Sequence, residues 1–168
     1  VSGGNEFINR SVELSDRIYL NDGKGNFIKD IQNDIENYTI SGKTVASIDF
    51  DNDGDKDIIV GNRIKTGKYP IHEPSIIYEN ISGKFYNNTY NIAPEFENFG
   101  IVNKIISTDF NNDGWSDFIA VGEWTNIGLF LNENGRFKNI SSKSNLHSLY
   151  GLWFNIQETD INNDGLYD

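Results

Sequence analysis

Three nine-residue windows share one frame: DFDNDGDKD from Asp49 to Asp57, DFNNDGWSD from Asp109 to Asp117, and DINNDGLYD from Asp160 to Asp168. Each has Asp at positions 1, 5 and 9, Asp or Asn at position 3, and Gly at position 6. Alternate positions of a curling turn point inward, so positions 1, 3 and 5 gather side-chain oxygens about one centre. A hard divalent cation such as calcium needs that, taking about six to eight oxygens at roughly 2.3–2.6 Å. Gly54, Gly114 and Gly165 stand where the backbone must turn more sharply than a Cβ allows. A main-chain carbonyl at position 7 and a carboxylate at position 9 would complete the shell. Position 7 varies freely (Asp55, Trp115, Leu166), as suits a residue that lends only its backbone.

The charge distribution agrees. The windows hold five, three and three aspartates, eleven in all against a formal net charge of −11; the other 14 acids are matched by the chain's 14 bases, of which only Lys56 falls inside a window. A solubility device would be spread over the surface. One such window alone would read as a turn rich in Asp, Asn and Gly, but three copies in one frame point to cation sites. An EF-hand needs an acidic ligand at position 12 between two helices. Here position 12 is Val60 in the first window and Ala120 in the second, inside DIIVG and DFIAVG runs that read as strands.

Other features keep step with the windows, which begin 60 and then 51 residues apart. Before each lies a strand-and-turn phrase: RIYLNDGKGNF, IIYENISGKF and LFLNENGRF. A hydrophobic run ends at Asn21, Asn80 or Asn132, a Gly turn follows, and Phe27, Phe85 or Phe137 opens the next strand. From these asparagines to the next window is 28, 29 and 28 residues. After each complete window a strand reaches Val60-Gly61 or Val121-Gly122, and the opening Val1-Ser2-Gly3-Gly4 aligns with that strand end. One unit therefore holds four short strands in 50–60 residues, the dimensions of a propeller blade. Segments such as Ser75-Ile76-Ile77-Tyr78 and Ile105-Ile106-Ser107-Thr108 have strand composition, and no stretch holds a helical apolar period over three turns.

These residues resemble the FG-GAP or VCBS repeat family, the calcium-loop propeller unit of integrin α-subunit heads and of many secreted bacterial proteins. The phrases YLNDGKGNF, VGNRIKTGKYP, VGEWTNIGLFLNENGRF and GLWFNIQETDINNDG are most similar to bacterial VCBS proteins associated with ASPIC/UnbV modules. The resemblance implies an all-β fold: about three four-stranded blades, part of a seven- or eight-bladed propeller whose remaining blades are partners. It implies calcium as the cofactor, in two complete loops and a third at the chain end. The side-chain ligands it implies are Asp49, Asp51, Asp53 and Asp57; Asp109, Asn111, Asp113 and Asp117; and Asp160, Asn162, Asp164 and Asp168. Asp55, Trp115 and Leu166 would lend carbonyls. We divide the chain into 1–48 (late part of one blade and a lead-in strand), 49–108 and 109–159 (two repeats), and 160–168 (the start of another).

Composition narrows the function. The acidic surface repels nucleic acid, and the absence of cysteine removes thiol nucleophiles and Cys-type zinc sites. Apolar runs are too short for a membrane span. The opening residues carry no signal-peptide pattern, so an export signal would lie outside this chain. We expect a non-enzymatic module of an extracellular, cell-surface or periplasmic protein, binding a protein or glycan, for instance in adhesion. The alternative is an accessory propeller of an extracellular polysaccharide lyase or hydrolase. A basic and aromatic connection, NRIKTGKYPIHEP, offers Arg63, Tyr69 and His72 as candidate ligand-binding residues. Trp115, Trp124 and Trp153 fall at repeat positions where aromatic packing is the default expectation.

Overall fold

Runs of β-branched and aromatic residues make the strands, and Asn- and Gly-rich turns close them into hairpins. A computed structural model describes residues 1–4, 12–31 and 33–168. A first hairpin pairs β1 (Tyr19–Asn21) with β2 (Phe27–Lys29). A four-stranded antiparallel sheet follows, in the order β3 (Gly42–Ile48), β4 (Asp57–Asn62), β5 (Ile76–Ile81) and β6 (Lys84–Asn87). Two single-turn helices, α1 (Thr89–Ile92) and α2 (Pro94–Glu97), occupy the connection to the next sheet. That sheet repeats the same path with β7 (Ile101–Thr108), β8 (Asp117–Thr125), β9 (Gly128–Asn132) and β10 (Phe137–Asn139). A short β11 (Gly151–Leu152) pairs with the far end of β8.

The register keeps the period seen in the sequence. Asn21 faces Phe27, Asn80 faces Phe85 and Asn132 faces Phe137. The acidic windows join the first and second strands of each sheet, with Ile48 opposite Asp57 and Thr108 opposite Asp117. The fold is an all-β, propeller-like array of consecutive antiparallel sheets. The sheets meet through their first strands, β3 against β7. Between them lies a core that includes Ile48, Phe50, Ile59, Val102, Phe118 and Phe130. Phe118 and Phe130 stack at 4.5 Å between centroids, and Phe96 and Phe137 meet Phe118 edge-on at 5.0 and 4.7 Å. Such ring pairs add to the burial of their area.

The repeated Val-Gly has a packing cause. A Cβ on Gly61 would lie 2.5 Å from Val102 Cγ1, and one on Gly122 only 1.6 Å from the Ile101 carbonyl oxygen. Two expectations are corrected. The strand expected to lead into the third window stops at Leu152, and residues 153–159 form no strand. In the other two windows the lead-in strand pairs with the strand that follows the loop, and among the described residues no such pair forms at the third. Val1 to Gly4, the described opening residues, also form no strand, although the Gly3 carbonyl accepts the Gly42 N–H at 2.8 Å.

Candidate metal centre

The three loops share a backbone as well as a sequence. Position 4 is left-handed in each, with φ of 59° at Asn52, 57° at Asn112 and 61° at Asn163. Asn tolerates that region better than other non-glycine residues. Position 6 follows with φ of 93°, 88° and 86° at Gly54, Gly114 and Gly165. Position 4 is Asn in all three windows, a signal visible in the sequence that the ligand frame passed over.

The aspartate at position 9 acts first as a latch. Asp57 is buried; its Oδ2 accepts the Phe50 N–H at 3.1 Å and its Oδ1 the Asn80 N–H at 2.8 Å. Asp117, 0% exposed, repeats this with Phe110 at 3.2 Å and Asn132 at 2.7 Å. Asp168 takes the Ile161 N–H at 3.0 Å. A hairpin asparagine completes the latches of Asp57 and Asp117. Asn80 Nδ2 donates to the Lys56 carbonyl at 3.0 Å while its Oδ1 accepts the Gly83 N–H at 2.8 Å. Asn132 does likewise with Ser116 at 3.0 Å and Gly135 at 2.8 Å, and also donates to the Phe50 carbonyl of the first loop at 2.7 Å. The sequence showed these asparagines as punctuation; besides the turn glycines, their partners lie 15 to 82 residues away.

The first positions distinguish the loops. Asp109 accepts the N–H groups of Asp113 and Gly114 at 3.1 and 2.9 Å, and Asp160 accepts those of Asp164 and Gly165 at the same distances. Positions 3 and 5 are tied together as well. Asn111 Oδ1 accepts the Asp113 N–H at 3.1 Å, and Asp113 Oδ1 accepts the Trp115 N–H at 2.8 Å. Asn162, Asp164 and Leu166 repeat that pattern at 2.9 Å each. In the first loop, ligand atoms of Asp49, Asp51 and Asp57 lie within 4.8 Å of one another. Asp49 Oδ1 is buried there without a hydrogen-bond partner. Asp53 accepts the Asp55 N–H at 2.8 Å.

The electrostatics follow from this crowding. Burial is the main cause that pushes Asp57 up to about 6, with Asp51 and Asp53 adding to it against the hydrogen bonds from Asn80 and Phe50. Burial likewise brings Asp117 to about 6, with Asp113 and Asp109 adding. Asp51 is raised by burial first, then by the charges of Asp53, Glu79 and Asp49. Converging carboxylates, all-oxygen donors and an orphaned buried oxygen fit a hard cation rather than a soft one.

Residues 3–60 and 109–168 match the FG-GAP-like repeat. The chain belongs to the FG-GAP-like repeat family. Each matched stretch runs through a hairpin and into an acidic loop. Residues 61–108 of this FG-GAP-like chain lie outside the matches but carry β5, β6 and β7, so the structural period is continuous. No curated protein matches the chain.

Arg63, Tyr69 and His72 lie away from the loops, toward the opposite ends of β4 and β8. Arg63 Nη2 and Nε donate to Glu123 Oε1 at 3.0 and 3.2 Å, and the Tyr69 hydroxyl donates to Glu123 Oε2 at 3.2 Å. Trp124 Nε1 donates to the Tyr69 hydroxyl at 2.7 Å. His72 bridges back to Ile64 across its own connection and borders the same cavity as Glu123 and Trp124. The packing expectation for Trp124 is corrected: it is 61% exposed. Trp115 and Trp153 are half-buried.

Proposed function

We propose that this chain is a calcium-stabilised propeller module of a secreted or cell-surface protein, and that it presents surfaces to a protein or glycan without catalysing a reaction. The observation that carries the reading is the convergence of Asp49, Asp51 and Asp57 around a buried Asp49 oxygen with no partner. Repeats of this family often bind calcium and are typical of extracellular proteins. Extracellular calcium modules work at about 10⁻⁴–10⁻³ M.

Asp49, Asp51, Asp53 and Asp57, with the Asp55 carbonyl, would hold the first ion. Asp109, Asn111, Asp113 and Asp117 with Trp115, and Asp160, Asn162, Asp164 and Asp168 with Leu166, would hold the others. Calcium would supply the positive charge that the crowded carboxylates lack. The chain contributes the rest: left-handed turns at Asn52 and Gly54 curl the loop, and the Asp57 latch holds it to the hairpin. The first loop offers four carboxylates where the others offer three, so it binds tightest. Among the described residues His72 Nδ1 approaches the Glu73 carbonyl and His147 Nδ1 the Ser144 carbonyl.

The test is thermal unfolding in millimolar calcium and in chelator. Calcium should raise the melting temperature, and Asp51→Ala with Asp53→Ala should remove most of that rise. An identical melt in both conditions would refute the metal reading.

A further inference from the structure

A cavity of about 260 Å³ lies between the β4–β5 connection and the end of β8, bordered by Pro70, His72, Phe99, Glu123, Trp124 and Thr125. It is far from the acidic loops, which enter β4 and β8 at their other ends. The repeat itself shows what the fold requires at this point. Val60-Gly61-Asn62-Arg63 and Val121-Gly122-Glu123-Trp124 occupy the same place in successive sheets, so the fold does not demand an aromatic or an acid there.

Trp124 is held in an unfavourable state that leaves it in solvent. Its φ is 61°, a left-handed backbone that a bulky residue adopts only when its surroundings impose it. It is 61% exposed, so burial does not account for it. Its indole edge is pinned by the Tyr69 hydroxyl at 2.7 Å, which fixes the ring plane. Beside it, Glu123 is 7% exposed and its charge is matched by Arg63 at 3.0 Å. Thr125 borders the cavity, and its Oγ1 has no hydrogen-bond partner.

The geometry points to a saccharide subsite: a neutral sugar ring stacked on Trp124, with hydroxyls donating to the spare lone pairs of Glu123. Because Arg63 offsets the carboxylate, neither a cation nor an anion is favoured. A rigid aromatic face beside a buried acceptor suits a ring with one apolar C–H face and hydroxyls at its rim. The volume falls below the roughly 300–1,000 Å³ of drug-sized sites, which limits occupancy to one sugar unit. This names the ligand class for the binding-module reading and rests on it, but uses residues outside the metal loops.

The experiment follows the tryptophan indole N–H signals of the full chain by NMR in millimolar calcium. Glucose, galactose, mannose, N-acetylglucosamine and N-acetylgalactosamine are titrated, with tetramethylammonium as a cation probe. One or more sugars should shift the Trp124 signal saturably, with half-saturation on the order of millimolar, typical of a single small ligand. Trp124→Gly should weaken binding about tenfold or more while keeping or raising the melting temperature, since glycine relieves the left-handed strain. Glu123→Gln should weaken it without loss of fold. No saturable shift with any sugar, a shift with tetramethylammonium alone, or full binding by Trp124→Gly would overturn the proposal. The calcium-dependent melt is a separate readout, so either result can fail while the other stands.

Discussion

The same aspartate can be a ligand or a brace, and single substitutions separate the two. Asp57 accepts two backbone N–H groups, so Asp57→Ala orphans both. It should cost about 2–3 kcal/mol even in chelator, as unsatisfied buried donors do. Asp53 is exposed, and Asp53→Ala should leave the chelated chain within about 0.5 kcal/mol while weakening the calcium response. Denaturant midpoints with and without calcium read both effects. Acid acts on the same groups. Asp57 and Asp117 are raised from 3.8 to about 6, so the folded chain keeps protons that the unfolded chain has released. Their contribution is full below the unfolded value and is lost as pH rises through about 6. The chelated chain should therefore melt lower at pH 7 than at pH 4.5 as far as these groups decide it. In calcium the trend should reverse, because protons displace the ion from its ligands. At this scale the turn glycines at position 6 were legible from spacing alone. The orphaned Asp49 oxygen was not, since it depends on how the first loop closes rather than on its letters.

Hairpins were the most legible elements, because an Asn, a Gly turn and an aromatic each leave a local mark. Their purpose was hidden, because it lies in contacts between sheets. Asn80 supports its own loop, whereas Asn132 also reaches the Phe50 carbonyl in the neighbouring loop. Asn132→Ala should therefore destabilise the chain by about 2–4 kcal/mol, against about 1–2 for Asn80→Ala. It should also weaken calcium binding at the first loop, although Asn132 lies 82 residues from Phe50. Calorimetric titration of each variant measures this, and equal effects would remove the cross-loop role. The lead-in to the third loop was misjudged for a related reason. Strand composition is local, but a strand needs a ladder. Among the described residues the segment past Leu152 is tied to β8 and β7 only at Trp153, whose N–H donates to the Gly122 carbonyl at 2.8 Å and whose carbonyl accepts Asn103 Nδ2 at 2.9 Å.

Across the whole molecule, one buried aromatic cluster joins successive sheets while both flanks of the array are apolar and open. Phe118 is fully buried among Phe96, Phe130 and Phe137. Phe118→Ala should cost about 3–5 kcal/mol, read from chemical denaturation. Leu20, Phe27 and Ile28 are exposed on one flank, and Phe154, Ile161 and Leu166 on the other. Exposed apolar side chains of this kind associate, so the chain should self-associate with rising concentration, and Ile28→Lys should lessen that in sedimentation. The period, strand count and all-β class were readable because each unit repeats its own marks. The site at Glu123 and Trp124 was readable only in part: the connection that carries Arg63, Tyr69 and His72 stood out by its composition, whereas its meeting with Glu123 and Trp124 depends on the fold. The account as a whole stands or falls on the loops, and anomalous scattering from crystals grown in millimolar calcium addresses them directly. A peak among the oxygens of Asp49, Asp51, Asp53 and Asp57, stronger than any at the other two loops, is the predicted result. Well-ordered loops with no peak at that concentration would contradict it.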